Sequence, residues 1–431
     1  MSILSEHPQF YPEFAKLGSA GSLVGLLAHE NTDIAIDAIE VLRELTDDDV
    51  GAEESHWRAL VDTMLKADLV DLLVQNLARF DEDLDSDGAG VYHILGMVEN
   101  LCSQQAVAEN IAVEEKGLLK WLLDRIQREE GQVSQNKQYA AEIMAILLQS
   151  SGKTRSKFAD MEGVDALLNL VSAYRRRDPE RDSNEEEYVE NLFDCLICMV
   201  GDAAGKNKFL EAEGVELCLI MLREGKMSKS RALRALDHTL SGSTAMPMCE
   251  RFVDAAGLKT IFALFMKKHE KEAAEHVLGI FSSLLRLLPA NSPARIRTLA
   301  KFVERDYEKI ARLAELRQSY CAKVSMVDSA IKAESQALNP EDRAEMTAGP
   351  WLSRRLDAGL FAVQTIDLIL SWLIAEDEGA GRRVEALLAS MGAGPEDLRR
   401  SLQDRLQGVH TDQPGDDAEI KDVLETLLQC L

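Results

Sequence analysis

Gly21-Ser-Leu-Val-Gly-Leu-Leu27 is the first of six versions of one phrase in this chain. The others read Asp68-Leu-Val-Asp-Leu-Leu73, Gly117-Leu-Leu-Lys-Trp-Leu-Leu123, Gly163-Val-Asp-Ala-Leu-Leu168, Gly214-Val-Glu-Leu-Cys-Leu219 and Gly257-Leu-Lys-Thr-Ile-Phe262. Their anchors are 47, 49, 46, 51 and 43 residues apart. Repetition at that period marks an all-α solenoid of the armadillo or HEAT kind, expected as a right-handed superhelix, in which each unit buries its apolar face against its neighbours. The functional question therefore moves from chemistry to surfaces.

Composition agrees. Apolar residues are 46% of the 431 and aromatics only 5%, a balance that suits Leu- and Ala-rich helix packing better than a β-sandwich. Ten prolines leave room for long helices. No apolar run approaches the ~20 residues that cross a bilayer, and no signal peptide opens the chain, so a soluble, intracellular protein is expected. Seven cysteines form no disulfide framework and read as reduced, buried thiols. A formal charge of −26 speaks against a phosphate-binding, nucleic-acid surface and fits a basic partner; an acidic surface also simply keeps a protein soluble.

Residues 1–16, with Pro8, Pro12, Phe10, Tyr11 and Phe14, read as a capping segment, residues 17–289 as about six repeats, and residues 290–431 as a helical C-terminal cap, non-repetitive or of degenerate repeats. In each repeat a charged residue and a Gly precede a short apolar helix, as in Glu115-Lys116-Gly117 and Met161-Glu162-Gly163, and that Gly is expected to take a left-handed or tight turn between helices. A polar loop follows, then a longer amphipathic helix, near 33–46, 89–103, 137–150, 185–200, 229–240 and 271–288. Asn31 or Thr32 is placed to cap the first of these. Beyond Leu288 the pattern predicts helices over 294–322 and 323–338, loops at Asn339-Pro340 and Gly349-Pro350, helices near 351–375, 380–391 and 395–407, a Gly-Asp-rich loop, and a last helix over 416–430.

Chemistry finds little foothold. Asp83, Asp85, Asp87 and Gly88 match the start of a calcium loop, but Val91 and Ile94 stand where ligands are required, which leaves an acidic inter-helix loop or a weak cation site. Cys195 and Cys198 sit mid-helix with no second pair, so they read as packing. There is no phosphate loop, G-x-S-x-G or H-E-x-x-H, and His93, His238 and His276 are scattered over long helices. No enzyme, cofactor or metal site is expected. Arg175, Arg176, Arg177 and Arg181 lie among carboxylates and neutralise themselves.

The polar residues of interest lie on the long helices, which line the groove of armadillo proteins: Asp33, Asp37, Glu40, Glu44, Glu99, Asn100, Glu142, Glu187, Glu190, Asp194, Asp237 and His238. Asp33, Asp37, Glu40 and Glu44 share one face by their spacing. Such a stripe suits a Lys/Arg-rich peptide, or is an ordinary solvated face. Five or six exposed pairs at ~0.2–1 kcal/mol each give only about 1–6 kcal/mol, so tight binding would need apolar anchors or avidity.

Leu27-Ala-His-Glu-Asn-Thr-Asp-Ile34, Leu73-Val-Gln-Asn-Leu77, Lys116-Gly-Leu-Leu-Lys-Trp-Leu-Leu123, Glu190-Asn-Leu-Phe-Asp194, Met221-Leu-Arg-Glu224, Phe252-Val-Asp254, Leu258-Lys-Thr-Ile-Phe262 and Arg355-Leu-Asp-Ala-Gly-Leu-Phe361 resemble the beta-catenin-like protein 1 family. The similarity is collinear from about residue 8 to about 375. It implies a nuclear, non-enzymatic armadillo scaffold of the pre-mRNA splicing machinery. Such a scaffold accompanies the complex around the splicing ubiquitin ligase and binds basic, nuclear-localisation-type segments of splicing factors. It also implies self-association. Family members usually carry a charged N-terminal extension with an import signal, whereas the first phrase here opens at Gly21. An importin-like adaptor for basic cargo would want a ladder of Trp and Asn. Trp121 belongs to a short helix, Trp57, Trp351 and Trp372 lie outside the long repeat helices, and only Asn100 fits such a ladder. A cation-responsive helical-repeat protein is the remaining alternative. Neither nucleic acid nor membrane is expected as a partner.

Overall fold

Every regular element among the described residues is a helix. The computed structural model describes residues 3–114, 117–267, 271–337, 349–408 and 416–431. Glu115-Lys116, the Asn339-Pro340 loop and most of the Gly-Asp-rich loop before the last helix lie outside them.

Each phrase begins the second of three helices. The fourth repeat, for example, consists of Gly152–Asp160, Gly163–Ser172 and Asn184–Met199. Its neighbours follow suit with Gln105–Glu114, Leu118–Gln127 and Gln135–Ser150 before it, and Ala203–Glu211, Gly214–Glu224 and Ser228–Leu240 after it. The first and second repeats run Tyr11–Lys16, Ser19–Gly25, Thr32–Thr46 and Glu54–Lys66, Leu69–Arg79, Asp85–Cys102; the sixth is Met246–Asp254, Gly257–Phe265, Lys271–Leu287. Asn31 caps the first long helix through its side chain, which accepts from the Asp33 amide at 2.9 Å.

The chain forms two compact units, one of residues 1–217 with 224–231, the other of residues 218–223 with 232–431. Within the first, like stacks on like. First helices pack on first helices, second on second, and the third helices Thr32–Thr46, Asp85–Cys102, Gln135–Ser150 and Asn184–Met199 form a continuous row. That is the solenoid arrangement the period predicts: each helix is sandwiched, so its apolar residues on two sides (Ile39, Leu42, Ile94, Leu95, Ile143, Leu147, Leu192, Leu196) are all buried. In the second unit, Leu360–Glu376 packs on Lys271–Leu287 in the same third-on-third manner, and Glu378–Ser390, Pro395–Gln407 and Asp416–Cys430 close over it.

The glycine of the phrase does different work from the one its position suggests. The left-handed residue is the one before it: Asp68, Glu162, Glu213 and Ala256 have φ of 58–61°. Gly163, Gly214 and Gly257 are needed for space. A Cβ on Gly163 would sit 2.3 Å from the Phe158 ring, and one on Gly214 2.6 Å from that of Phe209. On Gly257 it would lie 2.6 Å from the Phe252 carbonyl oxygen. A buried Phe five residues earlier, at the end of the first helix, lies across each of these glycines.

Two further expectations are corrected. The predicted break at 322/323 is absent: one element spans Pro293–Ala337, interrupted instead at Glu304–Tyr307, where Arg305, Asp306 and Tyr307 take φ of 54–61°. Buried Lys309 anchors that turn through Glu304 at 2.9 Å and Glu308 at 2.8 Å. The helix expected over 351–375 is two, Gly349–Asp357 and Leu360–Glu376, because Gly359 turns left-handed at φ 101° beneath the Tyr320 ring. No single described helix is long and apolar enough to cross a membrane.

Candidate functional site

The third-helix row of the first unit gathers most of the acidic residues singled out above. On Thr32–Thr46, Asp33, Asp37 and Glu40 are exposed along one face. Glu44, the fourth of that stripe, is half-buried and accepts a hydrogen bond from the Ser5 hydroxyl at 2.7 Å, so it ties down the N-terminal segment. Burial first, and the Glu44 charge second, push the Tyr11 hydroxyl up to about 12.

Further along the row, Glu99, Glu142 and Glu187 come from three successive third helices. The Tyr139 hydroxyl donates to the Glu99 carboxylate, which fixes its direction. Glu142 accepts from the Gln138 amide at 3.0 Å. Burial, then the fields of Glu99 and Glu187, hold the Glu142 carboxyl above the usual carboxylate range. One half-buried acid thus feels an acid on each side, with no cation between them strong enough to reverse the shift. A cation arriving beside Glu142 would favour its ionised form.

Aromatic residues that the sequence reading passed over stand beside this row. Tyr92 and Tyr139 meet with ring centroids 5.2 Å apart, and the Arg43 guanidinium lies over the Tyr92 ring at 5.4 Å. Arg43 also approaches His93 Nδ1 at 3.4 Å. Burial, ahead of the opposing influence of Glu40, keeps the His93 pKa below its ordinary value, so this imidazole is a neutral groove residue at pH 7. In the sequence this cluster shows only as the adjacent Tyr92-His93 pair on one long helix and Tyr139 on the next. The half-buried Tyr92 ring therefore lies next to the acids, with Tyr139 buried behind it.

Other candidates are occupied within the fold. The Asn100 amide donates to the Arg43 carbonyl at 3.0 Å and to Thr46 Oγ1 at 3.2 Å, closing the end of the neighbouring third helix. Glu190 takes Arg231 Nε at 2.5 Å, and Asp194 is half-buried one turn further on. In the second unit, Asp237 pairs with His276 Nδ1 at 2.9 Å and His238 is exposed beside it. Two of the four indoles are also engaged: Trp57 donates to the Thr46 carbonyl at 3.1 Å and Trp121 to that of Leu77 at 3.2 Å.

The acidic run from Asp81 is not a ligand loop. Helix Asp85–Cys102 begins inside it, so Asp85 and Asp87 are first-turn acids rather than loop ligands, and the Asp87 carboxylate accepts from the Asp81 amide at 2.9 Å. The long helix expected from about residue 89 thus starts four residues earlier, at Asp85. Among the described residues no group of three His, Cys, Asp or Glu is arranged to hold a metal ion. Cys195 and Cys198 are packed in their helix, and burial pushes both thiols up, away from reactivity.

A family profile described as "Catenin-beta-like, Arm-motif containing nuclear" matches residues 1–403. The beta-catenin-like protein 1 homolog of Schizosaccharomyces pombe is 38% identical over 402 residues, covering 93% of this chain and 70% of the relative. Beta-catenin-like protein 1 of Homo sapiens is 36% identical over 431 aligned residues, covering 95% and 74% respectively. A crystal structure of an engineered protein superposes with a TM-score of 0.56 at 16% identity, covering 99% of this chain and 94% of that one, which is a likeness of fold alone.

Proposed function

This chain belongs to the catenin-beta-like, Arm-motif-containing nuclear family, and on that premise we propose that it is a nuclear repeat scaffold of the pre-mRNA splicing machinery. In this reading it holds basic segments of splicing proteins along the third-helix row of its first unit. The observation that carries it is the Glu99–Glu142–Glu187 series, three carboxylates on successive third helices, the middle one with its pKa raised by burial first and by its two acidic neighbours after that. The half-buried Tyr92, backed by the buried Tyr139 ring and already stacked under Arg43, offers the aromatic edge nearest these acids. The net charge of −26 steers a basic partner towards the chain. An importin-like ladder is disfavoured, since Trp57, Trp121 and Asn100 spend their donors inside the fold.

The test is affinity purification from nuclear extract with the wild type and a Glu99→Lys/Glu142→Lys/Glu187→Lys variant. Subunits of the complex around the splicing ubiquitin ligase should accompany the wild type and be depleted with the variant. Failure of any splicing component to co-purify with the wild type would overturn the assignment. Equal recovery with both would move the interface off this row.

A further inference from the structure

A cavity of about 240 Å³ lies wholly within the second unit, walled by helices Lys271–Leu287, Leu360–Glu376, Pro395–Gln407 and Asp416–Cys430. Two guanidiniums, those of Arg286 and Arg405, face it. Neither is paired with a carboxylate among the described residues, and one terminal nitrogen of each is out of reach of solvent and without a hydrogen-bond partner. Thr365, only 2% exposed, adds a hydroxyl that is also without a partner. Ser282 and Ser283 contribute further hydroxyls, and Leu368 and Leu424 form an apolar back wall. The one acid on the wall, Asp237, is already engaged by His276 at 2.9 Å.

Such an arrangement is costly when empty. Buried N–H groups without partners lose their hydration, and two like charges in one low-dielectric space repel. Burial first, and the Arg286 charge second, lower the Arg405 pKa, which reports the same missing counter-charge. Arginine forks are built for planar, bidentate recognition of oxyanions, and two of them match the charge of a dianion better than that of a carboxylate. The volume is below the roughly 300 Å³ at which drug-sized pockets begin, so it suits one oxyanion on a short stem.

We propose that this cavity is a phosphate-dianion site, in which Arg286 and Arg405 hold the dianion, the Thr365 and serine hydroxyls donate to it, and the apolar wall takes the stem where the group is a monoester. The group could be carried by a phosphorylated side chain of a partner or by a free phosphate; the chemistry of the site is the same for both. This site is separate from the acidic row and does not depend on the reading of it.

The full chain is titrated by calorimetry with inorganic phosphate and with a short phosphothreonine peptide, at constant ionic strength. Saturable binding to the wild type is expected, weakened by about tenfold or more in Arg405→Gln and in Arg286→Gln, and unchanged in Arg400→Gln, an exposed neighbour. Tighter binding of the peptide than of phosphate assigns the anion to a protein partner, and equal binding assigns it to the free ion. Without ligand, both glutamine variants should melt no lower than the wild type, because each removes one of two repelling charges. No saturable binding to the wild type, or binding unchanged in both variants, overturns the proposal. If one variant fails to fold, the other carries the same readout.

Discussion

Moving the glycine by one position separates two accounts of the repeated phrase. If Gly163 were present for a left-handed turn, replacing it would strain the backbone, and Glu162 would be an indifferent surface residue. The structure has it the other way round, with Glu162 left-handed at φ 59° and Gly163 pressed against Phe158. Gly163→Ala places a Cβ 2.3 Å from a ring that is itself fully buried, so ring or helix must yield by more than 1 Å to restore an ordinary contact. Overpacking of that kind costs about 1–3 kcal/mol, offset by the roughly 0.5–1 kcal/mol that Ala gains over Gly in a helix. A net loss of up to about 2.5 kcal/mol follows. Glu162→Gly instead removes a left-handed non-glycine residue, worth roughly 1–2 kcal/mol, against an unfolded-state entropy cost of about 0.5–1 kcal/mol. It should be neutral or stabilising by up to about 1.5 kcal/mol. Urea unfolding followed by circular dichroism reads both. If Glu162→Gly lowers stability more than Gly163→Ala does, the packing explanation for the phrase is wrong.

Other expected outcomes bear on the acidic row. Tyr139→Phe deletes the donor that orients Glu99 and should cost about 1–3 kcal/mol in urea without changing the circular dichroism spectrum; no loss would mean that the contact is idle. Glu142 has a folded-state pKa raised mainly by burial, so its ionised form destabilises the fold at neutral pH, and stability is regained as pH falls through that pKa towards the ordinary glutamate value. Glu142→Gln should therefore raise or preserve the melting temperature at pH 7 and flatten the pH dependence just above the ordinary glutamate range. A lower melting temperature with the slope intact would contradict this. Asp367→Ala strands the Arg317 guanidinium in the second unit's core and should cost about 3–5 kcal/mol in urea, with a loss below about 1 kcal/mol speaking against a buried pair there.

How far the sequence could be read depends on how local each signal is. The second and third helices carry dense apolar faces, so their phrase and period announce them, and Asn31 announces its own cap. The first helix of each repeat was invisible. Gly152–Asp160 buries only Thr154, Phe158 and Ala159, too little for a periodic pattern, and it is held by its neighbours rather than by its own amphipathicity. The left-handed residue falls one position before the Gly, and the sequence does not show this because Gly satisfies two demands, free φ and small volume, that it does not separate. At the candidate interface the acids were legible as residues but their fates were not. Glu44, Glu190 and Asn100 are claimed by Ser5, Arg231 and Arg43, 39–57 residues away in sequence. Tyr92 and Tyr139 join the site for the same long-range reason.

The central claim, that the third-helix acids bind a basic peptide, is tested most directly by fluorescence anisotropy. A labelled Lys/Arg-rich peptide is titrated with the wild type, with Glu99→Gln/Glu142→Gln/Glu187→Gln, and with Glu54→Gln/Glu162→Gln/Glu211→Gln, whose equal charge change falls on exposed acids elsewhere in the first unit. Three ion pairs at ~0.2–1 kcal/mol each predict a loss of about 3- to 150-fold for the first variant. The control should bind nearly as the wild type does, and added salt should narrow the difference. If the two variants bind the peptide equally well, the row is a solvated face and the account of its function fails.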